Sequence, residues 1–138
     1  MSNAITFDEI ERKTEKTLGY AFLAKATTNL AVVAYRLIEL SNGLDRLVTI
    51  VTPEKIQAMT PEQCESLTIQ LQQLHRLLVS VGKSDEIVTL SQVPVLGKCV
   101  ENLRGRSVDL SDVIDDFVLL SNPGFQRLMS DCSTAIGL

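Results

Sequence analysis

The sequence predicts an all-α fold, a compact bundle of about five to seven helices around a long central helix. Apolar side chains recur at alternating intervals of three and four residues, which is the spacing of one helix face. Helix-start signals also recur along the chain, and 45% of the 138 residues are hydrophobic, enough to build a sizeable core. We expect one domain over residues 1–138, with residues 1–4 outside the fold as disordered or cloning-derived residues.

The first helix is predicted to begin at a capping box, in which the side chains of Thr6 and Glu9 each accept a hydrogen bond from the backbone N–H of the other residue. Residues 8–16 are mostly charged, and their opposite charges are spaced for ion pairs along one helix face. The pairs expected from this spacing are Asp8–Arg12 and Glu9–Lys13.

The same helix is predicted to end at Asn42-Gly43, because these residues favour a helix C-terminus. A straight helix over residues 6–41 would be ~54 Å long. A compact domain of this size is only roughly 37 Å across. We therefore expect either a bend near Gly19 or a charged first half that projects beyond the body.

Residues 18–42 are predicted to be the central helix. Between residues 17 and 44 the only charged side chains are Lys25, Arg36 and Glu39. One face is apolar and comprises Leu18, Phe22, Ala26, Leu30, Val33, Leu37 and Leu40. A second face consists mostly of small residues, namely Ala21, Ala24, Thr28, Ala31, Tyr35 and Ile38. A helix that is apolar over most of its circumference is buried on more than one side.

The middle of the chain is predicted to contain a short helix over 53–58 and a long one over 61–81. Each follows a Thr-Pro-Glu signal, with Thr as the N-cap and Pro in the first turn. The long helix carries a seam of Cys64, Leu67, Leu71, Leu74, Leu78 and Val81, and we expect it to pack along the central helix. Residues 44–51 are either a short helix or an extended connector, because their β-branched residues favour neither strongly.

The last third is predicted to form four helices, with a break at Pro94 between the first and the second. We expect helices over 85–92, 94–105 and 109–121, with Gly105 ending the second of them. Asn122-Pro123 then begins a last helix. Its inward side chains are expected to be Phe125, Leu128, Met129 and Cys132.

The charge distribution argues against nucleic-acid binding. The net charge is −4, and all of this excess lies in the last 31 residues. Without a basic face, and with few aromatic side chains, the chain lacks the features that hold phosphates and stack on bases. No uncharged apolar run approaches the ~18 residues of a membrane span, and no secretory signal is present, so we expect a cytoplasmic protein.

No pattern of residues predicts an enzyme or a cofactor. The three cysteines are more than thirty residues apart, which argues against disulfides or a zinc site and favours packing roles. The single histidine, His75, is expected at the edge of a buried face. The carboxylates of Asp109, Asp112, Asp115 and Asp116 are expected to form a solvated acidic surface rather than a metal site.

Two functions are consistent with these observations. The first is a non-enzymatic protein-interaction module, an adaptor or regulatory subunit, that forms a homodimer. Its interface is expected either at the uncharged segment 87–97 or on the small-residue face, at Ala24, Thr28, Ala31, Tyr35 and Ile38. The alternative is a bundle that holds an apolar ligand between helices, with His75, Tyr35 or Tyr20 as the polar anchor.

Overall fold

A computed structural model of the chain describes residues 7–120, 127, 131 and 132, and its long segments are all helical. The six helices are α1 (Phe7–Lys25), α2 (Leu30–Ile50), α3 (Pro53–Gln57), α4 (Pro61–Gly82), α5 (Asp85–Leu90) and α6 (Pro94–Leu120). No strand occurs in the described part of the chain, and the helices pack together as a bundle. The predicted all-α class is confirmed.

Four long helices surround the core. Helix α1 packs against α2 and α4, and α6 packs against the same two helices. Helices α2 and α4 therefore lie across the diagonal of the bundle, with α3 leading from one to the other and packing on α6. The expectation that 61–81 packs along the central helix holds for residues 18–25, which belong to α1, because α4 packs against α1. It does not hold for residues 30–42, because the crossover through α3 places α4 diagonally across the core from α2.

The predicted central helix over residues 18–42 is interrupted. Helix α1 ends at Lys25 and α2 begins at Leu30, so the chain reverses at residues 26–29. Asn29 is the N-cap of α2, and its side-chain Oδ1 accepts hydrogen bonds from the backbone N–H groups of Ala31 and Val32, at 3.1 and 3.2 Å. This turn, and not a bend at Gly19, keeps the N-terminal half within the bundle.

Two glycines that we predicted to end helices lie inside them. Helix α2 continues through Asn42-Gly43 to Ile50, which also settles residues 44–50 as helical. A side chain at Gly43 would place its Cβ 3.1 Å from Thr17 Oγ1, so this glycine lets α1 approach α2 closely. Helix α6 likewise continues through Gly105. Gly43 is therefore explained by the close packing of α1 on α2 and not by the end of a helix.

The two Thr-Pro helix starts are confirmed. Thr52 accepts a hydrogen bond from the backbone N–H of Lys55, and Thr60 forms a reciprocal capping box with Gln63. Ser84 is the N-cap of α5, and its side chain accepts a hydrogen bond from the backbone N–H of Ile87. The predicted seam of α4 is buried along its whole length, from Cys64 to Val81.

The core is formed by the inward faces of the four long helices, by Ile56 of α3 and by Ile87 and Leu90 of α5. Its largest fully buried members are Ile10, Leu37, Leu40, Leu44, Leu47, Leu67, Leu71, Leu74, Leu78, Ile87, Leu103 and Phe117. Burial of each such side chain is worth roughly 1.5–3 kcal/mol. Because all four long helices contribute to this one core, burial stabilises their association.

Some predictions lie outside the described residues. These are the capping box at Thr6 and most of the helix expected after Pro123. Among the expected inward side chains of that helix, only Cys132 is described, and it is exposed, contrary to the prediction. No helix in the described ranges has both the length and the apolar composition that crossing a membrane requires.

Candidate functional site

Exposed apolar side chains concentrate at one end of the bundle. Between 40% and 70% of each of these side chains is open to solvent. Those beside the α1–α2 turn are Phe22, Leu23, Leu30 and Val32, and those on α5 and at the start of α6 are Val88, Val93 and Val95. We refer to these seven residues as the apolar end.

Polar contacts between α2 and α6 show that both groups lie at the same end. Asn102 of α6 donates hydrogen bonds to Ser41 and to Asp45 of α2, at 2.7 and 3.0 Å. Arg106, one turn after Asn102 on α6, lies 3.7 Å from Asp45, which is one turn after Ser41 on α2. The two helices therefore run in the same direction, and the start of α2 is level with the α5–α6 connection, where α5 packs against α2.

The outward face of α2 extends the apolar end down the side of the bundle. Ala31, Tyr35 and Ile38 lie one turn apart on this face, opposite the buried side chains, and all three are exposed. Tyr35 alone is 60% exposed. We call these three residues the α2 stripe.

The expected small-residue interface is split by the fold. Ala24 is buried inside the bundle, while Thr28 lies exposed in the α1–α2 turn. The other three members are the α2 stripe, which remains on the surface. The alternative interface over residues 87–97 is also divided, since Ile87 and Leu90 are buried and the valines between and beyond them are exposed.

The charged side chains next to the α2 stripe neutralise one another. Arg36 Nη1 lies 2.6 Å from Glu39 Oε1, and the guanidinium carbon of Arg36 is 5.4 Å from the centre of the Tyr35 ring. The ring and the ion pair hold this guanidinium in place. The pair therefore adds little net charge beside the stripe.

The residues expected to anchor an apolar ligand are not brought together. His75 is half-buried on α4, whereas Tyr35 is exposed on α2, the helix diagonally opposite. The structure thus places no common site between them. Tyr20 instead faces a groove between α1 and α2.

That groove is polar and open rather than apolar and enclosed. It has a volume of about 230 Å³, and it lies in the half of the α1–α2 hairpin away from the turn. Its walls are formed by Lys13, Lys16, Thr17, Tyr20, Glu39, Asn42, Gly43 and Arg46. The composition suits a charged ligand and not the apolar one expected from the sequence.

The predicted acidic surface is present on α6 but is not uniform. Asp112 and Asp115 are exposed, and Asp116 is half-buried. The carboxylate of Asp109 pairs with Arg106 at 2.9 Å. In the part of the chain that the structure describes, no three His, Cys, Asp or Glu side chains are grouped so as to hold a metal ion.

The cysteines have different surroundings. Cys64 is buried, its Sγ lies 3.6 Å from the Ile56 carbonyl oxygen, and burial raises the pKa of its thiol. A raised pKa leaves less of the reactive thiolate, which fits a packing role. Cys99 is half-buried and Cys132 is exposed, and all three thiols are free.

Comparisons with protein-family models, with curated proteins and with solved structures find no match for this chain. We therefore infer function from the geometry of the surface.

Proposed function

We propose that this protein is a non-enzymatic helical interaction module, an adaptor or regulatory subunit, whose apolar end binds a second copy of the chain. The observation that carries the proposal is the location of the exposed hydrophobic side chains. Nine of the fourteen large ones on the described surface belong to the apolar end or to the α2 stripe. On the rest of the described surface, the other five lie on α4 and in the second half of α6.

The area of this surface supports a protein partner. With about half of each side chain exposed, the nine residues present on the order of 700 Å² of apolar surface, more than monomers usually leave open. Each partner in a standard stable interface contributes a similar area, ~800 Å². Burial of this surface is the driving force that we expect for association.

A second copy is the occupant that requires no further assumption. A two-fold axis brings the same patch of both chains together, so a single apolar surface is enough to close a dimer. Charged side chains of both signs surround this end, including Lys25, Lys83 and Asp85, all of which are exposed. They can form a polar rim around an apolar centre.

Two variants of α6 test the proposal. Val95 belongs to the apolar end and is 70% exposed, whereas Val108 lies further along the same helix and is 63% exposed. We expect native mass spectrometry and light scattering to show a dimer for the wild-type chain and for Val108→Lys. Val95→Lys should weaken the dimer, because an unpaired ammonium would be buried at the interface.

Two results would contradict self-association through this end. One is a wild-type chain that remains a single copy at about 100 µM, where even weak specific dimers are populated. The other is equal weakening of the dimer by both lysine variants. Circular dichroism of the variants shows whether either one has lost its helices.

A further inference from the structure

The groove between α1 and α2 concentrates positive charge on a protein whose net charge is −4. Lys13 and Lys16 lie on the α1 side, and Arg46 lies on the α2 side. None of the three makes an ion pair with another described residue. The ammonium and guanidinium groups of these three side chains are therefore available to a ligand.

Two carboxylates close to the groove, those of Glu39 and Asp45, contact other cations. Glu39, which lines the groove, pairs with Arg36 at 2.6 Å. Asp45 borders an adjoining hollow, but its carboxylate accepts a hydrogen bond from Asn102 and lies 3.7 Å from Arg106, on the side that faces α6. Three basic residues and one acidic residue line the groove, so its lining has a net positive charge.

The size and the neutral side chains of the groove favour a small anion. Its volume of about 230 Å³ is below the ~300–1,000 Å³ typical of sites for drug-sized ligands. Asn42 and Tyr20 line the groove with an amide and a hydroxyl, both able to donate hydrogen bonds to an anion. Gly43 carries no side chain that would occupy part of this space.

We propose that the groove binds a small soluble anion with two or more negative charges, of the diphosphate or phosphate-ester class. The guanidinium of Arg46 offers a planar pair of donors that matches two phosphate oxygens. The ammonium groups of Lys13 and Lys16 supply compact charges from the opposite wall. Arg46 is eight residues of α2, roughly 12 Å, from Ile38, the nearest member of the α2 stripe, so the anion site and the dimer can be tested by separate substitutions.

Inorganic diphosphate is the probe that tests this site. It is titrated into the full chain at low ionic strength, and binding is followed by calorimetry and by amide chemical shifts. We expect saturable binding of one anion per chain, with shift changes centred on Lys13, Tyr20 and Gly43. Added salt should weaken this binding, because exposed charges are screened.

Two charge-removing variants make the test specific. Arg46→Gln should lower the affinity for diphosphate about tenfold, through loss of a charge-assisted hydrogen-bonding pair. Arg76→Gln removes the same charge from an exposed position on α4, outside the groove, and should leave the affinity unchanged. Thermal unfolding of both variants serves as the control for folding.

Three results would overturn the proposal. The first is diphosphate binding that does not saturate. The second is an equal loss of affinity in Arg46→Gln and Arg76→Gln, which is the behaviour of general counter-ion attraction. The third is binding to vesicles of anionic phospholipid, dependent on Arg46, in the absence of binding to diphosphate. That result would assign the groove to a lipid headgroup instead of a soluble anion.

Discussion

The two halves of α2 have the same inward face and different outward faces. The first half presents the apolar α2 stripe to solvent, whereas the second half presents Asn42, Arg46 and Thr49. On the inward side, Leu37 of the first half and Leu44 of the second are both fully buried. The core is built from the inward side chains of both halves. The contrast on the outward side is therefore unrelated to the core, and it separates the surface proposed for a protein partner from the surface proposed for an anion.

The largest effects are expected on the inward face, where the two halves should behave alike. Leu37→Ala and Leu44→Ala should each reduce the free energy of unfolding by about 3 kcal/mol, through lost burial and a residual cavity. Asn42→Ala, at an exposed position of the same helix, should change it by less than about 0.5 kcal/mol. Denaturant unfolding measures all three values. A much smaller loss for one leucine would show that its half of α2 is only loosely held.

On the outward face, the same substitution should have different effects in the two halves. Ala31 and Thr49 are eighteen residues apart, which is five turns, so their side chains point in the same direction from α2. Ala31→Glu should weaken the dimer about tenfold, or ~1.4 kcal/mol, by burying a carboxylate at the interface. Thr49→Glu should leave the dimer intact. Sedimentation at several concentrations gives both dissociation constants.

Unfolding cannot account for a dimer lost in Ala31→Glu. Position 31 is in the first turn of α2, where a carboxylate interacts favourably with the helix dipole. The free energy of unfolding, compared at equal dimer occupancy, should therefore not fall. Equal dissociation constants for the two Glu variants would remove the functional distinction between the halves of α2.

The smallest expected effects concern two glycines, Gly43 between the two halves of α2 and Gly105 within α6. Gly43→Ala should lower the free energy of unfolding by about 1 kcal/mol, since the steric cost exceeds the gain in helix propensity. The new Cβ would meet Thr17 Oγ1, which is held by a 2.7 Å hydrogen bond to the Lys13 carbonyl and cannot easily move aside. Gly105→Ala, with nothing within 4 Å, should raise it by about 0.5–1 kcal/mol. Thermal and denaturant unfolding can detect both changes, and a stabilising Gly43→Ala would contradict the close approach of α1 and α2.

The predictions from sequence succeeded where local chemistry and burial agree. The two Thr-Pro starts and the regular apolar seam of α4 define the middle of the fold without reference to its neighbours. The break at residues 26–29 had a local signal as well, because Asn29 is a favourable N-cap preceded by two threonines. The continuous apolar pattern on either side concealed it.

The two glycines show where local signals are insufficient. Asn42-Gly43 has the same sequence character whether it ends a helix or lies at a close helix–helix contact. The distinction depends on Thr17, which is more than twenty residues away in the chain. Gly105 is similar, because the helix around it is supported by the contact of Arg106 with Asp45 of α2.

For the candidate sites too, the sequence predicted what lies on one helix face and not what comes together from distant parts of the chain. The sequence placed Ala31, Tyr35 and Ile38 on one face, and this face is exposed, but it offered no reason to associate them with the valines of residues 88–95. It also gave no signal for the groove, because Lys13 and Arg46 are thirty-three positions apart and each resembles an ordinary surface residue.

By itself, the sequence determined the helical class, the boundaries set by capping residues and the side of α4 that is buried. These properties depend on the chemistry of a few neighbouring residues and on the 3.6-residue period of the helix. Only the tertiary structure decided which helices are neighbours, which glycines lie at close contacts and which surfaces meet. Those properties depend on side chains that are distant in the chain and become adjacent only when the core is formed.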